Sequence, residues 1–173
     1  IAAASKRNES LHFAVANYAA STRARTTSIG GVHPDYSVLT DKVEGEARQI
    51  HWGDMWHYAI ARMVVAARAN GRRPMDGPFG DFQDPDGFRA AAKRAAVLGC
   101  EGKWAIHPNE GASICECFSP DSEDVARARS QKAAYEQALE AGQGAVSVDG
   151  VMVDQATMKL IEPLLAQADL LQI

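Results

Sequence analysis

The sequence predicts an α/β fold built on a parallel sheet, and three observations lead there. Short apolar runs alternate with longer stretches of helical periodicity. Polar residues and glycines gather where the apolar runs stop. The units repeat in the order strand then helix, the signature of parallel strands joined by crossover helices. In such folds the chemistry sits at the C-terminal ends of the strands.

The first strand candidate is "SLHFAVAN", where Leu11, Phe13 and Val15 alternate with smaller or polar residues and the run stops at Asn17. Residues 22–47, rich in Gly, Thr, Asp and Pro, read as a long loop with room for one short helix. From Ile50 to Ala69 the recurrence of Met55, Ala59, Met63 and Ala66 reads as a helix that Asn70-Gly71 ends. "RPMDGPFGDF" is a short strand broken by Gly and Pro. "DPDGFRAAAKRAAVLGCEG" is an amphipathic helix with Phe88, Ala92 and Ala95 on one face. Either Asp84 or Asp86 is placed to cap it, and Gly99 to stop it. "KWAIHP" is the next strand.

Residues 119–141 read as a helix with Ser119 at the N-cap, Pro120 at N1, an acidic first turn and Gly142 at C′. The tail reads as a hairpin or extended piece, then a helix kinked or divided near Pro163. Three strands cannot close a barrel, and a complete eight-stranded one takes ~250 residues. The pattern therefore fits the last part of a TIM (β/α)8 barrel over residues 1–118, with a C-terminal helix and a further segment over residues 119–173.

Composition narrows the function classes. The chain of 173 residues is 46% hydrophobic and 23% charged, an ordinary globular balance. Its formal net charge of -4 provides no global basic field for nucleic acid. Its apolar runs are too short to span a bilayer, and no secretory apolar segment opens it. Cys115 and Cys117 form C-x-C, not a zinc-knuckle spacing, and with Cys100 they read as reduced thiols of a cytoplasmic protein. The start "IAAAS" carries no initiator Met and reads as part of something longer.

Several stretches together resemble one family. "YAASTRARTTSIGGVHPDYSVLTD", "HWGDMWHYAIARMVVAARANG", "DGPFGDFQDPDGFRAAAKRAAVLGCEGKWAIHP" and "VSVDGVMVD" are similar to malyl-CoA lyase, within the citrate lyase β-subunit-like aldolases. The wider class shares "GKWAIHP" and the D-G-x-M-x-D pattern. "ARTTSIGG" and "HWGDMWHYAIAR" point to the malyl-CoA branch. The resemblance implies reversible cleavage of (S)-malyl-CoA to acetyl-CoA and glyoxylate, with β-methylmalyl-CoA, giving propionyl-CoA and glyoxylate, as second substrate. It implies Mg²⁺ or Mn²⁺, a coenzyme A thioester, and a homo-oligomer in which residues 119–173 supply a lid segment that reaches a neighbouring subunit. Two alternatives stand beside it: a malyl-CoA thioesterase, and a non-catalytic barrel remnant that binds acyl-CoA.

The same resemblance assigns site residues. A divalent cation that orients glyoxylate and draws off charge needs carboxylates. The family takes them from a Glu on a strand upstream of this chain and from an Asp at the position of Asn17. Asn17 is uncharged, which implies a weakened cation site. The backbone amides at Ala16 and Asn17 correspond to contacts with the substrate carboxylate. Ile106 and His107 correspond to coenzyme A contacts. Asp154, the last residue of "DGVMVD", corresponds to the acid/base that handles the enolate proton, and Asp is equally suited to cap the helix that follows.

Where the family continues "HPSQ", this chain has "HPNE", and Glu110 is expected to bring negative charge near an anionic cofactor. Asp76 reads as structural and Asp149 as a turn residue. Arg23 and Arg25 read as solvated. His51 and His57, six apart, fall on different helix faces. Trp52 and Trp56 read as packing residues.

Overall fold

A computed structural model describes all 173 residues of the chain. It is a mixed α/β structure of two compact units, Ile1–Phe118 and Ser119–Ile173. Its strands are short and form three two-stranded sheets.

The first unit opens with β1 (Ser10–His12), which ends earlier than the alternation of Leu11, Phe13 and Val15 suggests. The Phe13 N–H still reaches the Met75 carbonyl at 2.9 Å, but the chain then turns into α1 (Val15–Thr22). Val15 and Ala19, four apart, are its buried face, so helical spacing overrides the two-residue alternation. Asn17 therefore lies in the first turn of a helix and not at a strand end.

The expected long loop contains β2 (Ser37–Leu39), paired antiparallel with β3 (Ile50–Trp52). The helix expected from Ile50 begins only at α2 (His57–Arg68). Gly53 and Asp54 account for the delay. A Cβ on Gly53 would stand 2.8 Å from the Tyr36 ring, and the Asp54 carboxylate accepts the Trp56 N–H at 3.0 Å, a local turn that competes with helix. The buried stripe of α2 is Ile60, Val64 and Ala67, rotated from the expected one; Ala66 is exposed.

β4 (Arg73–Met75) pairs parallel with β1, placing His12 opposite Met75. Beyond it, Asp76 makes one parallel bridge to Lys103. That bridge is all that forms of the strand expected at "KWAIHP". Three chain segments thus run side by side in one direction, ending at His12, Asp76 and Lys103.

Between the second and third lies α3 (Pro85–Val97), capped by Asp84, whose Oδ1 accepts the Gly87 N–H at 2.9 Å. Its C-terminus closes with Gly99 at φ 102° and with N–H bonds from Cys100 to Ala95 O and from Gly99 to Ala96 O. α4 (Glu110–Phe118), not anticipated from the sequence, packs beside α3, where Ile114 meets Phe79, Phe88 and Ala91. The main core joins Phe13, Val15 and Ala19 to Trp56, Ile60, Val64, Ala95 and Cys100.

The second unit is α5 (Ser122–Glu140), a hairpin of β5 (Ala145–Val148) and β6 (Val151–Asp154), and α6 (Gln155–Leu171). Asp121, not Ser119, caps α5 by accepting the Glu123 N–H at 2.8 Å. The chain stays extended at Asp121, so Pro120 precedes the helix instead of opening it. Gly142, at φ 75°, closes the helix. The hairpin turns on Asp149 and Gly150, both with positive φ, the D-G signature of a tight two-residue turn. α6 runs undivided through Pro163. Val125, Ala128, Leu165 and Ala168 form one cluster and Tyr135, Val153 and Met158 another.

Candidate functional site

In the first unit, groups with chemistry gather where the three parallel segments end. Deepest is Asp76, whose Oδ2 lies 2.6 Å from Lys103 Nζ; both side chains are buried. Lys103 also donates to the Gly77 carbonyl at 2.8 Å, and the Gly77 N–H donates to Asp76 Oδ1 at 2.8 Å. A charge pair out of water persists only when its remaining hydrogen-bonding capacity is met, as it largely is here. Gly77 has no room for a side chain: a Cβ would stand 2.0 Å from the Phe13 carbonyl oxygen. β1 and β4 thus come together at their ends, with α1 leaving directly above.

Beside this pair the Trp104 indole N–H donates to His12 Nδ1 at 2.6 Å, and His12 Nε2 meets Ser10 Oγ at 2.8 Å. With Nδ1 accepting from the indole, Nε2 is the ring nitrogen that donates to Ser10 Oγ. The chain continues from Trp104 into Ile106, half exposed, and His107, whose ring lies flat on Phe82 at 4.9 Å. Cys100, close to the Asp76–Lys103 pair, is pushed up to about 12 by burial first and by Asp76 second, so it stays a thiol and not a nucleophile.

The residues assigned from sequence divide between the units. Ala16 and Asn17 are exposed on the first turn of α1, next to the Gly77 crossing. Ile106 and His107 follow Trp104, which touches His12 at the end of β1. All four belong to the end of the first unit where the parallel segments stop.

Asp154 belongs to the second unit, at the N-cap of α6. Its Oδ1 accepts the Thr157 N–H at 2.9 Å and meets Thr157 Oγ1 at 3.1 Å, while Thr157 Oγ1 accepts the Asp154 N–H at 3.4 Å. These bonds, led by the Thr157 backbone N–H, hold the carboxyl below its usual value, so it is ionised at neutral pH.

Glu110, expected to bring negative charge near an anionic cofactor, does so from within the fold. Its side chain does not face solvent; it is buried, and its carboxylate folds back onto backbone N–H groups of its own segment. Sequence reasoning also missed the Lys103 partner of Asp76 and the Phe82 cover on His107. Lys103 stood inside "GKWAIHP", where a lysine between Gly and Trp at a strand end was the available signal. Nothing in the sequence pointed to Phe82.

Metal-ligating side chains do not gather in this chain. No group of three His, Cys, Asp or Glu residues is placed to hold an ion. Asn17 is a single neutral donor, so these residues alone do not fit a Mg²⁺ or Mn²⁺ site. No helix is long and apolar enough to cross a membrane.

No protein-family model matches the chain. Against curated proteins it is 46% identical over 171 residues to the L-malyl-CoA/beta-methylmalyl-CoA lyase of Cereibacter sphaeroides (strain ATCC 17025 / ATH 2.4.3), covering 99% of this chain and 52% of that protein. This chain is a homologue of the malyl-CoA lyases. It spans about half the length of these lyases. The malyl-CoA/beta-methylmalyl-CoA/citramalyl-CoA lyase of Chloroflexus aurantiacus is 42% identical over 160 residues, covering 92% of the chain and 45% of that protein. A (3S)-malyl-CoA thioesterase of Cereibacter sphaeroides matches less, 38% over 106 residues, covering 61% of the chain and 37% of that protein.

Among solved structures, CitE of Mycobacterium tuberculosis, in complex with magnesium, acetoacetate and coenzyme A, superposes with a TM-score of 0.60. It is 26% identical and covers 75% of this chain and 46% of CitE. The fold of this chain is thus citrate lyase-like.

Proposed function

We propose that the chain is part of an acyl-CoA lyase that cleaves (S)-malyl-CoA to acetyl-CoA and glyoxylate, and β-methylmalyl-CoA to propionyl-CoA and glyoxylate. The observation that carries the proposal is the 46% identity to a malyl-CoA lyase across 99% of the chain. Residues 1–118 are assigned to the closing part of a TIM barrel and residues 119–173 to a lid segment. The three parallel segments ending at His12, Asp76 and Lys103 support the barrel assignment.

In cleavage the bond between the α-carbon and the carbinol carbon breaks, and its electron pair passes into the thioester enolate. The carbinol oxygen loses its proton and becomes the glyoxylate carbonyl, and the enolate α-carbon gains one. Asp154 is assigned the proton transfer at that carbon. The Thr157 bonds keep it ionised, the form that takes the α-proton in condensation, at some cost in base strength; in cleavage it takes up the proton that the carbinol oxygen releases and delivers it to the α-carbon. Oδ1 serves the cap, which leaves Oδ2 for the transfer.

Ala16 and Asn17 are assigned to the glyoxylate carboxylate through their backbone N–H groups, and Ile106 and His107 to coenzyme A. The Asp76–Lys103 pair sets the height of the segment that carries them. In the complete protein the Mg²⁺ or Mn²⁺ would take its Glu ligand from outside this chain and the Asn17 amide oxygen from within it, so no step here is routed through it. The homo-oligomer, with Asp154 serving a neighbouring subunit, and the cytoplasmic compartment belong to the same proposal.

The test is metal-dependent turnover of malyl-CoA by the full-length protein. Glyoxylate with acetyl-CoA is the expected product pair. Free malate with coenzyme A would instead make the protein a thioesterase, and binding without turnover a non-catalytic acyl-CoA binder.

A further inference from the structure

Glu110 is the first residue of α4 and is 4% exposed. Its Oε2 accepts two backbone N–H groups, from Ile106 at 2.7 Å and from His107 at 3.1 Å. Its other oxygen, Oε1, is buried with no partner in the chain. No cation pairs with it within ion-pair distance. Burying a carboxylate this way is costly, and two charge-assisted bonds to adjacent amides are what offset it.

The turn around these amides is held from several sides. The Glu110 N–H donates to the His107 carbonyl at 3.0 Å, the Asn109 N–H donates to His107 Nδ1 at 3.2 Å, and Phe82 covers the His107 ring. Ile106 nevertheless remains 51% exposed. The inward N–H groups are occupied and the outward side chain is presented.

We propose that Glu110 is a positioning residue that sets the Ile106–His107 backbone from beneath, so that this turn meets the coenzyme A portion of the substrate in one conformation. The proposal rests on the lyase reading for what the turn contacts. The carboxylate is not a repulsive charge at the mouth of the site; it is spent inward on two peptide groups. A residue that merely complemented the positive N-terminal end of α4 would need only charge. Bridging two particular amides needs length as well.

The experiment uses the full-length protein with Glu110→Asp and Glu110→Gln. Aspartate keeps the charge at the helix start but is one methylene too short to reach both N–H groups. Glutamine keeps the length, and its amide oxygen can accept both. The expected result for Glu110→Asp is a KM for malyl-CoA raised about tenfold, the loss of one to two hydrogen bonds, with kcat within about twofold. Glu110→Gln restores a near wild-type KM. Amide exchange adds a readout that needs no substrate: the Ile106 and His107 N–H groups are protected in the wild type and exposed in Glu110→Asp.

A folded Glu110→Asp protein with wild-type KM overturns the proposal. Should that variant not fold, rapid exchange at both amides in the wild type does the same. Wild-type protein that releases no glyoxylate sinks the lyase reading instead, while exchange still reports on the Glu110 bonds.

Discussion

At the scale of single residues, two side chains carry the sharpest predictions. Asp154 has a structural job that is visible, capping α6 through Thr157, and a chemical job that is proposed. Asparagine caps a helix as well as aspartate does but takes up no proton. Asp154→Asn should therefore keep the thermal midpoint and abolish turnover, whereas Asp154→Ala should lower both; calorimetry beside a glyoxylate assay separates them. Because the folded carboxyl lies below its ordinary value, its contribution is present above that value. It is lost as pH falls through the lowered one.

Asn17 is the second. An amide oxygen can join a Mg²⁺ shell but adds no charge. Asn17→Asp in the full-length protein should tighten Mg²⁺ binding by about tenfold or more, as one added charge near the ion predicts. Calorimetric titration measures it, and equal affinities would mean that position 17 is no ligand.

At the scale of elements, a buried charge pair reinforces a short run of backbone hydrogen bonds. Three backbone hydrogen bonds link the Asp76 and Lys103 segments, from Glu101 N–H to Pro74 O, Asp76 N–H to Gly102 O and Trp104 N–H to Asp76 O, and the buried ion pair adds to them. Lys103→Met alone strands a buried carboxylate and should cost about 3–5 kcal/mol in denaturant unfolding. Adding Asp76→Asn should recover part of that loss, because the stranded charge is gone.

A second tie lies at the outer end of β4, where Glu101 meets Arg68 and Arg73. Burial alone would raise the Glu101 carboxyl, but hydrogen bonds from Arg73 and Arg68 prevail and lower it. A lowered folded value means that this tie stabilises above the ordinary carboxylate range and is lost as pH falls through the lowered value. Glu101→Gln should flatten the acid limb of a stability–pH profile.

At the scale of the whole molecule, each unit has its own core. Phe88, 2% exposed, belongs to the first unit and Val153, 0% exposed, to the second. Phe88→Ala should cost about 3–5 kcal/mol. Residue-resolved amide exchange should place that loss within residues 1–118. Val153→Ala should loosen residues 119–173 instead. Uniform loss across both units would show that they unfold as one.

The features legible in residue order alone were mostly local. Asp149-Gly150 announced its hairpin because two positive φ angles in succession suit few other pairs. Gly142 and Gly99 announced helix ends for a related reason, and "ARTTSIGG" with "HWGDMWHYAIAR" announced the malyl-CoA lyase kinship that the relatives bear out. Asp154 as a cap was legible as well, since the signal is a single residue before a helix.

Tertiary structure decided the rest, wherever two local patterns competed or a partner lay far along the chain. The alternation through Val15 looked like strand until the Gly77 crossing left no room for it to continue. Residues 50–56 looked helical until Tyr36 and Asp54 claimed them. Lys103 meets Asp76 across 27 positions, and Trp104 meets His12 across 92, distances over which sequence periodicity carries no information. Glu110 was legible as a negative charge near the site but not in its direction, because a side chain's direction is set by what packs around it. Only the folded chain turns that carboxylate inward onto Ile106 and His107.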